Sequence, residues 1–242
     1  MYKISLITPV HQNLQGLKNI FNVIADIVGS DLEWIIKDSG SCEMTKAWLS
    51  EIDSPHIKHN SAPDEGLYDA MNAAIKIASA PYYLTLGSDD IIFQESIKQL
   101  TSLSESSEFL AADIISFPVL KNKRLRTLHR YCPLSWNVSR LITSHSVGTI
   151  IRKRLHENLG YYDTRYRVLA DSLFVKEAFN QGARFLSFDL PVMGEFSVGG
   201  ISSNENLVKI KESYDYNTAT GSPIIIQAIF FLIRVARAKL KN

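Results

Sequence analysis

The chain has 242 residues, 45% of them hydrophobic and 21% charged, a composition that can bury a sizeable core and excludes a disordered chain. Its 26 basic residues against 25 acidic ones leave a net charge of +1, without the basic excess of a general nucleic-acid binder. Two cysteines, Cys42 and Cys132, exclude a disulfide framework and a four-cysteine zinc site, and point to a reducing compartment.

The segment 3–8 reads as a short β-rich run that ends at Pro9. Apolar residues then recur at helical spacing through 14–28, with Gly29 as a stop. A second strand is expected over 33–37, closed by Asp38-Ser39-Gly40-Ser41, followed by a helix over 45–52 and a strand near 57–58. Residues 66–79 read as a helix, and 82–86 as a buried strand ending at Gly87-Ser88-Asp89-Asp90. This β-α-β-α rhythm predicts a mostly parallel α/β sheet with helices on both faces, whose ligand sites lie beyond the carboxyl ends of its strands. Further along, strands are expected over 112–119, 147–152 and 184–188, a basic loop over 121–130, and a helix over 172–181 closed by Gly182. A loop rich in Gly, Ser and Asn over 194–206 follows. One domain is expected through 222, split into a donor half over 1–100 and an acceptor half over 101–222, with a separate helix over 223–242.

Asp38 and the pair Asp89-Asp90 fall at two such strand ends. Adjacent carboxylates repel unless a cation or hydrogen-bond donors compensate them, and oxygen ligands suit magnesium or manganese. A helix N-cap ahead of Gln94 accounts for the same pair without a metal. The segment Pro63-Asp64-Glu65-Gly66-Leu67-Tyr68-Asp69-Ala70-Met71-Asn72 crowds polar groups at a helix start, where a phosphate or ribose can bind. Its acids also complement the helix dipole, and Tyr68 and Met71 read as core residues.

Four motifs, Ile4 to Val10, Trp34 to Ser41, Asp64 to Asn72 and Leu86 to Asp90, resemble those of family-2 glycosyltransferases in order and spacing. The resemblance implies a Rossmann-like GT-A fold and an inverting transferase of bacterial polysaccharide or lipid-linked glycan synthesis. It assigns Thr8, Pro9, Asp38, Asp64, Gly66, Asp69, Asn72, Ser88 and Asp89 to the nucleotide sugar, and Asp90 to a Mn2+ or Mg2+ ion. Asp171 matches the general base, and His145 and Gly200 match positions lining the acceptor side. Asp171 also fits a helix N-cap before Ser172, and His145 a structural histidine. Gly87 departs from the Asn or Asp of many relatives, and Asn72-Ala73-Ala74 replaces a more usual Asn-Lys-Gly.

The tail carries the apolar run Ile224 to Ile233, followed by Arg234, Arg237, Lys239 and Lys241. It is too short to span a bilayer and fits an amphipathic helix on an anionic membrane, or a helix docked on the domain or on a second copy. The expected reaction moves a sugar from a UDP-sugar to a surface-glycan or lipid-linked hydroxyl, at the cytoplasmic membrane face and without nucleic acid. A sugar nucleotidyltransferase and a non-catalytic nucleotide-sugar-binding scaffold are the rival expectations. The first ordinarily places a Gly-rich basic loop where this chain has His11-Gln12-Asn13-Leu14.

Overall fold

The computed structural model describes residues 2–40, 42–126, 145–197, 206–220 and 223–239. The amino-terminal half builds β1 (Ile4–Val10), α1 (Leu14–Ile24), β2 (Leu32–Asp38), α2 (Glu43–Ser50), β3 (Ile57–Ser61), α3 (Leu67–Ile77) and β4 (Tyr82–Thr85). After it come β5 (Ile91–Ile92), α4 (Gln94–Leu103), α5 (Ser107–Ala111), β6 (Ile114–Ser116), β7 (Val119–Lys121) and β8 (Arg124–Arg126). Then follow a 3-10 turn (Ser146–Gly148), β9 (Thr149–Arg152), α6 (Leu155–Leu159), α7 (Ala170–Asn180), β10 (Phe185–Ser187) and β11 (Gly194–Phe196). Two helices, α8 (Asn206–Ala219) and α9 (Ile224–Lys239), close the described chain.

The seven-stranded sheet has the order β10-β6-β9-β4-β1-β2-β3, and only β9 runs antiparallel to its neighbours. Its strands bury both faces. Ile4, Leu6, Trp34, Ile36, Tyr82 and Leu84 meet α1, α2 and α4 on one side. Ile7, Ile35 and Tyr83 meet α3, α6 and α7 on the other. The alternation follows from the two-residue repeat of a strand. The mostly parallel sheet between two helical layers agrees with the sequence expectation.

Several elements depart from it in detail. Pro9 lies inside β1, in register with Lys37, but past the last β1–β4 pair at Ile7 and Thr85. Its missing N–H therefore faces a side with no ladder to break. The single strand expected over 112–119 is two, β6 and β7, in different sheets, because Phe117-Pro118 interrupts the run. The basic segment forms a β7–β8 hairpin rather than a loop as far as Arg126. Its turn residues Asn122 and Lys123 have φ of 50° and 57°, as a tight hairpin twist demands. A second sheet, β5-β11-β7-β8, takes part of the expected Gly/Ser/Asn loop as β11. Helix α8 carries no clear apolar period and was not expected.

Candidate active site at the carboxyl ends of the strands

A cleft of about 460 Å³ opens beyond the carboxyl ends of β1, β2 and β4, a size that takes a small ligand. The end of β1 supplies Pro9, the link after it His11 and Asn13, and the turn after β4 supplies Gly87 to Asp90. His11 Nδ1 and Ser39 Oγ, 2.9 Å apart, tie the ends of β1 and β2. Asn13 caps α1 by accepting from Gly16 N at 3.0 Å, and its Nδ2 donates to Ser88 O and Ser88 Oγ, each at 3.1 Å. Gly16 is obligatory here, because a Cβ would collide with Ser88 O. The start of α1 thus holds the acidic turn in place.

The two carboxylates of that turn differ. Asp90 is 7% exposed, with Oδ2 accepting from Gly87 N at 3.1 Å and Oδ1 from Ser197 N at 3.0 Å. Burial, reinforced by the charge of Asp89, raises its carboxyl to about 7. Asp89 is exposed at the cleft. A Cβ built on Gly87 would lie 2.8 Å from Asp89 Oδ1 and 2.9 Å from Asp90 Oδ2. Both oxygens therefore lie close to the space beside Gly87. Hard carboxylate oxygens of this kind suit a divalent cation, although no group of three or more His, Cys, Asp or Glu clusters among the described residues.

Asp38 is fully buried beside Ser39, and neither carboxylate oxygen has a hydrogen-bond partner among the described residues. Buried carboxylates are otherwise paired. Lys37 Nζ is spent nearby on Asp38 O at 2.9 Å, Ala62 O at 2.5 Å and Asp64 Oδ2 at 3.4 Å. Asp64 lines the cleft and accepts from Gly66 N at 3.1 Å. Gly66 has φ of 123° and opens α3, whose amino terminus no side chain caps.

Asp171 lines the opposite part of the cleft, in the first turn of α7 rather than at its cap. Its Oδ1 accepts from Tyr68 Oη at 2.9 Å and Ser172 N at 2.7 Å. Burial lifts its carboxyl above the usual range, and the Tyr68 bond counters part of that lift. His145 precedes the 3-10 turn and stacks on Phe196, ring centroids 3.8 Å apart.

Not every expected residue reaches the cleft: Asp38 is fully buried and does not line it, although its neighbour Ser39 does. Thr8 is buried and accepts from Trp34 Nε1 at 2.9 Å. Asp69 accepts from Glu65 N at 3.1 Å, folding back on its own helix start. Asn72 clamps Tyr162 through its backbone N and O at 3.0 and 2.8 Å. Gly200 lies outside the described residues.

The family model of glycosyl transferase family 2 matches residues 5–189. The chain belongs to glycosyl transferase family 2. It is 25% identical over 213 residues to a PGL/p-HBAD biosynthesis glycosyltransferase of Mycobacterium tuberculosis, covering 82% of this chain and 78% of that one. The fold matches a mannosyltransferase of Pyrobaculum calidifontis in complex with GDP-Man and Mn2+ (TM-score 0.65, 14% identity, 99% of this chain and 76% of that one). It likewise matches S. aureus TarS in complex with UDP-GlcNAc (TM-score 0.63, 17% identity, 96% and 72%). This glycosyltransferase thus has the GT-A architecture that its motifs implied.

Two residues of this family-2 enzyme escaped the sequence reading. Tyr68 looked like core, yet its hydroxyl sits between Asp171 Oδ1 and Val168 O, each at 2.9 Å. Glu212 of α8 is buried and accepts from Arg167 N, Val168 N and Leu169 N at 2.6, 3.1 and 2.9 Å, bracing the backbone just ahead of Asp171. A signal for Tyr68 was present, since it stands among the acids of Asp64 to Asp69; none existed for Glu212, which lies beyond the family match.

Proposed function

We propose that this glycosyltransferase moves a sugar, with inversion, from a UDP-sugar to a hydroxyl of a surface-glycan or lipid-linked acceptor. The observation that supports this most is the meeting of the acidic turn 87–90 and the isolated carboxylate Asp171 in one cleft, reached from opposite ends of the sheet's chain path. Asp38, buried next to the cleft-lining Ser39 and without a hydrogen-bond partner among the described residues, would accept from an N–H of the base. Asp64 and the uncapped start of α3 face the sugar and phosphates. Asp89, with Asp90 behind it, would hold Mn2+ or Mg2+, and the ion when bound supplies positive charge to the leaving diphosphate.

Asp171 takes the proton of the attacking hydroxyl. The new bond forms from that oxygen to the anomeric carbon while the bond to the diphosphate breaks, its electron pair leaving with the phosphate. Tyr68 fixes the Asp171 carboxylate, and burial raises the basicity of that carboxylate. The donor half over 1–100, the acceptor half over 101–222 and the tail from 223 belong to the same reading.

The tail α9 packs on α8 through Tyr214 and Phe231, and through Arg234 Nη1 to Ser213 Oγ at 3.2 Å. Its other side leaves Ile225, Ile229, Leu232 and Ile233 exposed beside Arg237, which suits an anionic membrane surface near a lipid-linked acceptor. No helix among the described residues is long and apolar enough to cross a membrane.

The test is calorimetric titration of UDP, GDP and CMP with manganese and after chelation. Metal-dependent preference for UDP is expected, at least tenfold weaker in Asp89→Asn. Asp171→Asn should keep that affinity while UDP release from donor falls at least a hundredfold. Equal binding of all three nucleotides, or full turnover by Asp171→Asn, would overturn the reading.

A further inference from the structure

Four carboxylates line the cleft, Asp64, Asp89, Asp90 and Asp171, and among the described residues that line it Arg167 alone is a lysine or arginine. The stretch that carries Arg167 is fixed from two sides. Glu212 Oε1 accepts from Arg167 N at 2.6 Å, and its Oε2 takes the amides of Val168 and Leu169. Across from it, Tyr68 Oη donates to Val168 O and to Asp171 Oδ1, each at 2.9 Å. One hydroxyl thus ties the Asp171 carboxylate to the residue that follows Arg167. Val168 and Leu169 are buried, whereas Arg167 is exposed at the cleft. A held backbone therefore presents a solvent-facing guanidinium on the wall that bears Asp171.

That wall decides which charge the guanidinium meets. In an inverting transfer the acceptor oxygen attacks the anomeric carbon from the face opposite the leaving diphosphate. The turn 87–90 serves the diphosphate and Asp171 the acceptor, so Arg167 stands on the acceptor's side. An anionic acceptor entering among four carboxylates is repelled unless a fixed cation meets its charge. A neutral acceptor meets no such repulsion. A guanidinium carries five N–H donors in a rigid fork that matches two oxygens of a carboxylate or phosphate, and a single neighbour does not exhaust them.

We propose that Arg167 binds an oxyanion of the acceptor, a carboxylate or a phosphate, on the Asp171 side of the cleft. The inference rests on Asp171 being the base of the transfer, and it names the acceptor as an anionic alcohol rather than a neutral one. Holding the charged group in the Arg167 fork orients a neighbouring hydroxyl toward Asp171, and that orientation is the residue's contribution to the rate.

The experiment titrates glycerol 3-phosphate, glycerate and glycerol into enzyme saturated with UDP and manganese, so that the donor site is filled. At least one of the two anions should bind at least tenfold more tightly than glycerol, and the tighter of them tells phosphate from carboxylate. Arg167→Gln should weaken that binding at least tenfold with UDP affinity and circular dichroism unchanged, because the backbone amide that Glu212 grips stays in place. Arg167→Lys keeps the charge without the fork and should recover part of the loss; it also serves should Arg167→Gln not fold. Equal binding of glycerol and the anions, no binding of any of the three, or an anion affinity that Arg167→Gln leaves intact overturns the proposal. So does a parallel loss of UDP affinity in Arg167→Gln, which assigns the guanidinium to the donor's diphosphate. If UDP itself does not bind, the donor-site reading fails, and the same titrations without nucleotide decide the role of Arg167 on the same terms.

Discussion

At the scale of single residues, Asp171 is defined by what surrounds it. Tyr68 donates to its carboxylate, and Glu212 grips the three amides ahead of it. Hydrogen bonds to a charged group contribute about 1.5–3 kcal/mol each. Glu212→Gln would put an amide N–H where a backbone N–H now donates, and remove the charge that serves three donors. We expect turnover to fall at least tenfold with UDP affinity unchanged and the secondary structure intact, and Glu212→Asp to recover part of the rate. Donor-release kinetics beside a UDP titration read both quantities. A parallel loss of UDP affinity would mean that Glu212 supports the fold broadly rather than positioning Asp171.

At the scale of elements, α9 presents two unlike sides. One is fixed to α8, with Gln227 Oε1 accepting from Asn217 Nδ2 at 3.3 Å. The other leaves Ile229 and Leu232 at 52% and 65% exposure. Burying each such side chain is worth roughly 1.5–3 kcal/mol. Ile229→Glu/Leu232→Glu should therefore cut binding to anionic vesicles at least tenfold without changing helicity, as read by co-sedimentation and circular dichroism. A mass shift from dimer to monomer with unchanged vesicle binding would instead make this side a contact between copies of the chain.

At the scale of the whole molecule, stability against acid is a balance of buried groups with opposite signs. His156 stacks between Tyr161 and Phe174 and meets Tyr83 Oη at 2.8 Å. Burial lowers it from 6.5 to about 4. The unfolded chain therefore takes up a proton below 6.5 that the folded chain refuses until about 4, and stability falls as pH drops through that window. The full effect is about 3 kcal/mol below both values. Asp90 works the other way: raised from 3.8 to about 7, it binds its proton preferentially in the folded state as pH falls between them. The two are separated by comparison. The stability difference between wild type and His156→Gln should shrink as pH falls from 6.5 to 4, by denaturant unfolding at each pH. A difference constant across that range would mean that His156 is charged in the folded protein.

The sequence by itself determined the alternation of strands and helices, the burial of both sheet faces, and the acidic turn at the end of β4. These follow from local signals: a two-residue or helical apolar period, Gly at turns, and short polar links. It also carried the family through four ordered motifs. Tertiary structure decided what no local period encodes. Pro118 splits one apolar run between two sheets, because a chain without that N–H cannot continue the ladder. Tyr68 and Asp171 lie 103 residues apart yet share a proton contact, and Glu212 braces a backbone segment 43 residues before it. His145 stacks on Phe196 only because β11 brings that ring to the residue that precedes the 3-10 turn. Long-range pairing depends on how elements pack, and side chains that serve it look, in the sequence, like ordinary core or surface residues.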